Sequence, residues 1–214
     1  MTEIVFDEFS HTYYVDGQRK DSVTQCLGEY LKVEISGAVF YVHTLSGAVI
    51  SKDIFEAAQD FGTALHKAVH LLLKGNLDIS AIHPDLLGSV LAVQDWLFNN
   101  VAEWMLAEQR FYSRRYDFCG CLDIYGRLKK YPRGRDLLDI KTGLSWDMAD
   151  PQTAAYQQLI VENVPGAARA ETRRWVLHVP RDGSDCDLIR MNRKDSFGYF
   201  LNMLQAKRWR DASR

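Results

Sequence analysis

The segment Arg135-Asp-Leu-Leu-Asp-Ile-Lys-Thr-Gly143 constrains this chain more than any other. Its apolar centre reads as a short buried strand that ends at a glycine turn. Side chains at i and i+2 of a strand share a face. Leu138 and Ile140 therefore point into a core, and Asp139 and Lys141 point together the other way. A carboxylate beside an ammonium at a strand end can hold a divalent metal and orient a water, as phosphodiester hydrolysis requires. Taken alone, the tripeptide reads as a solvated ion pair on a strand face. Its neighbours in sequence change that reading.

Upstream, Phe118-Cys-Gly-Cys-Leu-Asp123-Ile-Tyr-Gly126 is a second apolar strand with one isolated acid. Such an acid is costly to bury unless it is paired or bound to metal. Before it, Trp104-Met-Leu-Ala-Glu108-Gln-Arg-Phe-Tyr112 reads as a third strand with another acid. Downstream, Asp150-Pro151 suits the N-cap and first position of a helix that runs to about residue 163. Gln152 and Tyr156 then lie four apart on one face. Phe61-Gly-Thr-Ala-Leu-His66 places a histidine one turn beyond a glycine on a long helix.

The ordered set Gly62/His66, Glu108, Gly120/Asp123, Asp139/Lys141 and Gln152/Tyr156 resembles the RecB-like branch of the PD-(D/E)xK nucleases, over residues 60 to 160. The opening Phe6 to Gly17, followed by Ser22-Val-Thr24, is similar to the start of phage-type members. The resemblance implies an α/β fold with a restriction-endonuclease-like core, a central mixed β-sheet flanked by α-helices. It implies a DNA exonuclease of recombination or repair that leaves 5′-phosphates. It also implies that the carbonyl of Ile140 ligates the metal. Two alternatives stay open: a restriction or junction-resolving endonuclease of the same fold, and a non-catalytic, nuclease-like DNA-binding subunit.

The pattern predicts one domain over 1–214. Residues 4–20 read as a hairpin turning at Asp16-Gly17, and Ser22 to Gln25 as a capping box opening a short helix. Residues 33–50 read as irregular or short strands. Helices are expected over 51–74, with Ile54, Phe55, Ala58, Phe61, Leu65, Val69 and Leu72 inward, and over 84–99, with Leu87, Val90, Leu91 and Leu97 inward. Strands follow at 106–113, 117–128 and 135–141. The motif-bearing core 51–163 is completed by strands 173–180 and 185–191 and a terminal helix over 195–210.

Among the site candidates, Asp123 and Asp139 are carboxylates suited to Mg²⁺ or Mn²⁺. Lys141 would position the attacking water and stabilise charge on phosphate, or simply pair with Asp139. Glu108 reads as a ligand or as a polar residue on an edge strand. His66 is a neutral-imidazole ligand candidate or a structural histidine. Gln152 and Tyr156 would contact DNA or brace Lys141, or stand as a surface glutamine and a core tyrosine. Cys119 and Cys121 read as small core residues rather than ligands.

Charge is split along the chain. Residues 1–109 hold 6 Lys/Arg against 15 Asp/Glu, and residues 110–214 hold 20 against 13. The basic excess lies on the segments that carry Asp123, Asp139/Lys141 and Gln152/Tyr156, as a phosphate-backbone track would. Lys129, Lys130 and Arg133 are its nearest substrate-binding candidates, with a solvated hairpin loop as the other reading. Arg169, Arg173, Arg174 and Arg181 follow, and Lys207, Arg208 and Arg210 end the chain. The four cysteines form no Cys-x-x-Cys pair, and disulfides are not expected in a chain read as cytoplasmic. Some members of the family that the chain resembles carry an iron–sulfur cluster on a downstream cysteine group; only Cys186 follows the motifs here, so the resemblance implies no cluster. No membrane span is expected. DNA is the expected partner, with a homo-oligomer or a recombination or helicase partner left open. The location expected is cytoplasmic, in the host cytoplasm for a phage-encoded chain.

Overall fold

A computed structural model describes residues 3–8, 10–28, 30–43, 48–143 and 148–213. The chain opens as a meander of β1 (Ile4–Asp7), β2 (Thr12–Val15) and β3 (Gln18–Ser22). Asp16 and Gly17 take φ of 48° and 78°, the pair of left-handed residues that a two-residue hairpin needs. The expected hairpin is thus two successive ones; Phe9, between the first two strands, lies outside the described residues. Ser22 then caps α1 (Val23–Leu27), accepting from the Gln25 amide at 3.3 Å. The stretch read as irregular forms a separate antiparallel sheet of β4 (Tyr30–Ile35), β5 (Ala38–His43) and β6 (Val49–Ser51). A second left-handed pair, Ser36-Gly37, turns it. Residues 44–47 of that stretch lie outside the described residues.

Two helices follow, α2 (Lys52–Leu73) and α3 (Pro84–Asn100). Their cores are Leu65, Ala68 and Val69, and Leu86, Val90, Val93 and Leu97. Ile54 and Leu91, expected inward, are 65 % and 43 % exposed. Period-3.6 patterning assigns a face but not how far along the helix a neighbour covers it. Strand β7 (Val101–Ser113) continues directly from α3, five residues earlier than expected. It pairs antiparallel with β8 (Phe118–Leu128), which pairs antiparallel with β9 (Arg135–Lys141). After β9 the chain crosses through α4 (Ala149–Asn163) to the parallel strand β10 (Thr172–His178), then to β11 (Asp187–Met191) and α5 (Ser196–Ala212).

Helix α4 begins earlier than Asp150-Pro151 suggested, with Met148 at its N-cap. Asp150 is not a cap. It lies in the first turn, paired with Arg174 at 3.2 Å and accepting from Ser196 Oγ at 3.1 Å. Charge pairing across elements has overridden the local capping preference.

The main sheet runs β1-β2-β3-β8-β9-β10-β11, with β7 also paired to β8. Leu122, Tyr125 and Leu137 pack with α1, α4 and α5 through Leu27, Leu159, Ile160 and Phe200. Ile124, Leu138, Ile140 and Leu177 pack with α2 and α3. Cover on both faces is why the central strands are apolar at nearly every position. The chain is α/β, with a central mixed sheet flanked by helices. No helix among the described residues is long and apolar enough to cross a membrane.

The edge of β8 away from β7 is shared by two strands. β3 pairs in parallel with Phe118 and Cys119, and β9 pairs with Ile124 to Gly126. Residues 120–123 lie between, in a gap where β3 and β9 part.

Candidate metal centre

The gap is the floor of a cavity of about 220 Å³ lined by residues that include Tyr13, Ser22, Thr24, His66, Cys121, Asp123, Asp139, Lys141, Gln152 and Tyr156. Gly120 keeps it narrow. A Cβ there would stand 2.9 Å from both Leu159 Cδ1 and Tyr156 Cε1 and 3.0 Å from Val23 Cγ2. Three walls leave little room to yield, so Gly120→Ala is expected to cost roughly 1–3 kcal/mol by overpacking. Thermal unfolding checks it: a variant that melts with the wild type would mean that α1 or α4 gives way freely.

Asp123 stands where β8 would otherwise pair with β9. Its Oδ2 accepts the Ile140 amide at 2.6 Å, so a carboxylate replaces the missing backbone acceptor. In a strand the N–H and C=O of one residue point to the same side. The Lys141 carbonyl accepts from Val179 on the other side, toward β10. The Ile140 carbonyl therefore faces the β8 side, beyond the last β8–β9 pair, as a ligand role would require.

Asp139 is 1 % exposed. Gln152 Nε2 donates to its Oδ1 at 3.3 Å and to the Tyr156 hydroxyl at 3.0 Å. Gln152 and Tyr156 thus share a face as the spacing implied, but both are buried and the glutamine braces Asp139, not Lys141. Lys141 Nζ lies 2.9 Å from Asp139 Oδ2, so the two side chains do point together. That oxygen nevertheless accepts no directed hydrogen bond, although it is fully buried.

Glu108 lies across from Asp123 on β7, between the pairs Ala107–Ile124 and Gln109–Leu122. Its φ of 48° is left-handed, in mid-strand and without glycine. Such a backbone costs on the order of 1–3 kcal/mol and is retained where surroundings compensate. Here it delivers a carboxylate to His66, with Oε1 3.5 Å from Nδ1. His66 Nδ1 also lies 3.3 Å from Asp123 Oδ1. Ligand atoms of His66, Glu108 and Asp123 all fall within 4.8 Å of one another. Five residues from α2, β7, β8 and β9 are therefore brought together.

The electrostatics fit a cation position. Burial, opposed by Lys141 and reinforced by Asp123, raises the Asp139 carboxyl to about 6. Burial also works against charge on Asp123, but His66, Lys141 and the Ile140 amide hold it below the usual carboxylate range. Burial pulls the His66 imidazole down, yet the Asp123 charge and the hydrogen bonds to Asp123 and Glu108 outweigh it and raise the group to about 10. Three acids, one of them a buried carboxylate paired with Lys141, and a strand carbonyl facing the gap are a donor set that a hard divalent ion fits.

Other assignments change. Lys129, Lys130 and Arg133 are exposed, but they follow β8 and precede β9, at the far end of β9 from Asp139. Four residues of strand alone separate Arg135 from Asp139, roughly 13 Å. Lys129 donates to the Phe98 carbonyl at the end of α3. Arg173 and Arg174 are buried partners of Asp136 and Asp150, and Lys207 and Arg208 pair with Asp21. Arg173, Arg174, Lys207 and Arg208 thus neutralise interior or local acids and do not form an open track. Cys119 is a core residue as expected, whereas Cys121 is half-buried, lines the cavity and donates to Glu108 Oε2 at 3.4 Å. Tyr13, Ser22 and Thr24 were not assigned from sequence. Ser22-Val-Thr24 was visible as a motif, but only the sheet order reveals that it walls the cavity.

No family model matches the chain, and no curated protein matches it.

Proposed function

We propose that the chain is a divalent-metal-dependent DNA nuclease with a restriction-endonuclease-like core, of the RecB-like PD-(D/E)xK type, and that it acts as an exonuclease in recombination or repair. The observation that carries this reading is the convergence of Asp123, Asp139 and Lys141 where β3 and β9 part, with Asp139 Oδ2 buried and lacking a directed hydrogen bond.

Asp123, Asp139 and the Ile140 carbonyl would hold Mg²⁺ or Mn²⁺, with His66 and Glu108 beside Asp123. Such an ion supplies Lewis acidity toward the phosphodiester and makes water more acidic. Gln152 fixes Asp139 through Oδ1, which leaves Oδ2 directed at Lys141. Lys141 orients the attacking water and offsets charge that develops on the phosphoryl oxygens. The buried Tyr156 hydroxyl, held by Gln152, keeps that brace in place. Attack in line expels the 3′-oxygen and leaves a 5′-phosphate.

The test is digestion of end-labelled linear, nicked and circular DNA. Linear DNA is expected to be degraded with Mg²⁺ or Mn²⁺, to survive in EDTA, and to be bound without cleavage in Ca²⁺. Full turnover in EDTA overturns the mechanism. Cleavage of closed circles assigns the endonuclease role instead.

A further inference from the structure

Arg110, on β7, is half-buried. Its Nε is buried and has no hydrogen-bond partner, and its guanidinium makes no ion pair among the described residues. The interior arginines elsewhere are paired, Arg173 with Asp136 at 2.7 Å and Arg174 with Asp150 at 3.2 Å. A guanidinium drawn out of water without a counter-charge is costly. The Phe6 ring, 4.7 Å from its Cζ, offers a π face but no negative charge. An anion from outside the chain would complete the position.

Strand pairing sets this cation beside the cavity. Arg110 lies opposite Cys121 across β7 and β8, and residues paired in this way share a face of the sheet. Cys121 lines the cavity, as does Tyr13, which stands opposite Phe6 across β1 and β2. Burial pushes the Tyr13 hydroxyl and the Cys121 thiol up, and the Arg110 charge pulls against it in both. Asp123 is two residues beyond Cys121 on the same strand, roughly 7 Å away. Successive phosphates along an extended DNA strand are about that far apart. A phosphate is also the anion that a planar guanidinium binds best.

We propose that Arg110, backed by Phe6 and Tyr13, is an anion subsite for the backbone phosphate adjoining the one that is cleaved. Held there, the strand is fixed one phosphate away from Asp123 and Asp139, and the grip sets which bond reaches them. The hairpin β1–β2 thereby gains a role in the site, since its Phe6–Tyr13 pair holds the guanidinium against the cavity wall. The identity of the ligand rests on the nuclease reading, whereas the anion site itself does not.

The experiment compares the full chain with Arg110→Gln. In EDTA, at constant ionic strength, inorganic phosphate is expected to raise the melting temperature of the wild type by a few degrees and to leave that of Arg110→Gln unmoved. Without phosphate the variant is expected to melt at or above the wild type, since it no longer keeps an uncompensated charge out of water. No shift in the wild type, an equal shift in the variant, or a variant that melts well below the wild type overturns the anion site. The second measurement is Mg²⁺-dependent cleavage of end-labelled DNA in which single phosphates are replaced by uncharged methylphosphonates. Neutralising the phosphate beside the cleaved bond is expected to slow the wild type at least about tenfold and Arg110→Gln less than about twofold. Affinity for unmodified DNA should also fall less steeply with salt in the variant, by about one phosphate's share. Equal slowing of the two proteins takes Arg110 off the strand. A phosphate shift without any cleavage upholds the anion site and overturns the nuclease reading instead.

Discussion

Asp139→Asn is expected to lower DNA cleavage at least about a thousandfold, about 4 kcal/mol of transition-state stabilisation, without loss of fold. The amide keeps the shape of the side chain and a partner for Gln152, but it has no charge with which to hold a divalent ion. Stability should move the other way. The folded Asp139 carboxyl titrates at about 6, against about 4 in an unfolded chain. The folded state therefore binds the proton more tightly. As pH falls from about 6 to about 4 the wild type gains stability from this group, and above about 6 the ionised, buried carboxylate is a net cost. In EDTA near pH 8 the variant should melt a few degrees above the wild type, and the difference should shrink as pH falls through about 6. Mg²⁺ should reverse the order, since it stabilises only the chain that can bind it. Calorimetry at several pH values and single-turnover cleavage check the two halves together. A variant that keeps more than about a tenth of the wild-type rate would remove Asp139 from the ligands.

Local rules made much of this legible. Leu138-Asp139-Ile140-Lys141 needs only the period of two to place its side chains, and the structure puts Leu138 and Ile140 in one core and Asp139 beside Lys141. Gln152 and Tyr156 needed only the i,i+4 rule. The short reach of these patterns also marks their limit. Which acid a cation serves is a property of the sheet, so Arg173 and Arg174 looked like surface charge until β10 was placed beside β9. Cys121 followed the same logic. Its sequence neighbours are apolar, but its neighbour across β7, Arg110, and the left-handed Glu108 leave its thiol at the cavity wall. No local pattern announces a left-handed glutamate in mid-strand, because the compensation comes from other strands and helices. The gap itself was illegible for a related reason. It arises because β3 and β9 each cover part of one edge of β8, and β3 lies about a hundred residues away from it in sequence. Residues 144–147, between β9 and α4, lie outside the described residues.

Arg173→Met is expected to destabilise the chain by roughly 3–5 kcal/mol, the cost of leaving a buried carboxylate without its charged partner. Asp136 is fully buried and saturated with donors. It accepts from Arg173 Nε at 2.7 Å and Nη2 at 2.9 Å, from Trp175 Nε1 at 2.8 Å and from the Leu128 amide at 2.9 Å. The methionine retains the aliphatic stem and removes the two charge-assisted bonds, which are the strongest of the four. For a chain of this size the loss corresponds to a melting temperature lower by roughly ten degrees or more. Replacing both partners, Arg173→Met with Asp136→Leu, should recover part of the loss, because no charge is then stranded. A double-mutant cycle separates that coupling from the packing change. The guanidinium also donates to the Arg133 carbonyl at 2.7 Å and lies 4.8 Å from the centre of the Tyr131 ring. Arg173→Met should therefore speed hydrogen exchange across residues 129–134, the loop that carries Lys129, Lys130 and Arg133, while the amides around Asp123 exchange more slowly. A variant that melts within about 2 °C of the wild type and instead weakens DNA binding would return Arg173 to the phosphate track suggested by the charge distribution. A large loss of stability places the arginine in the interior, holding β9 to β10 beneath the site.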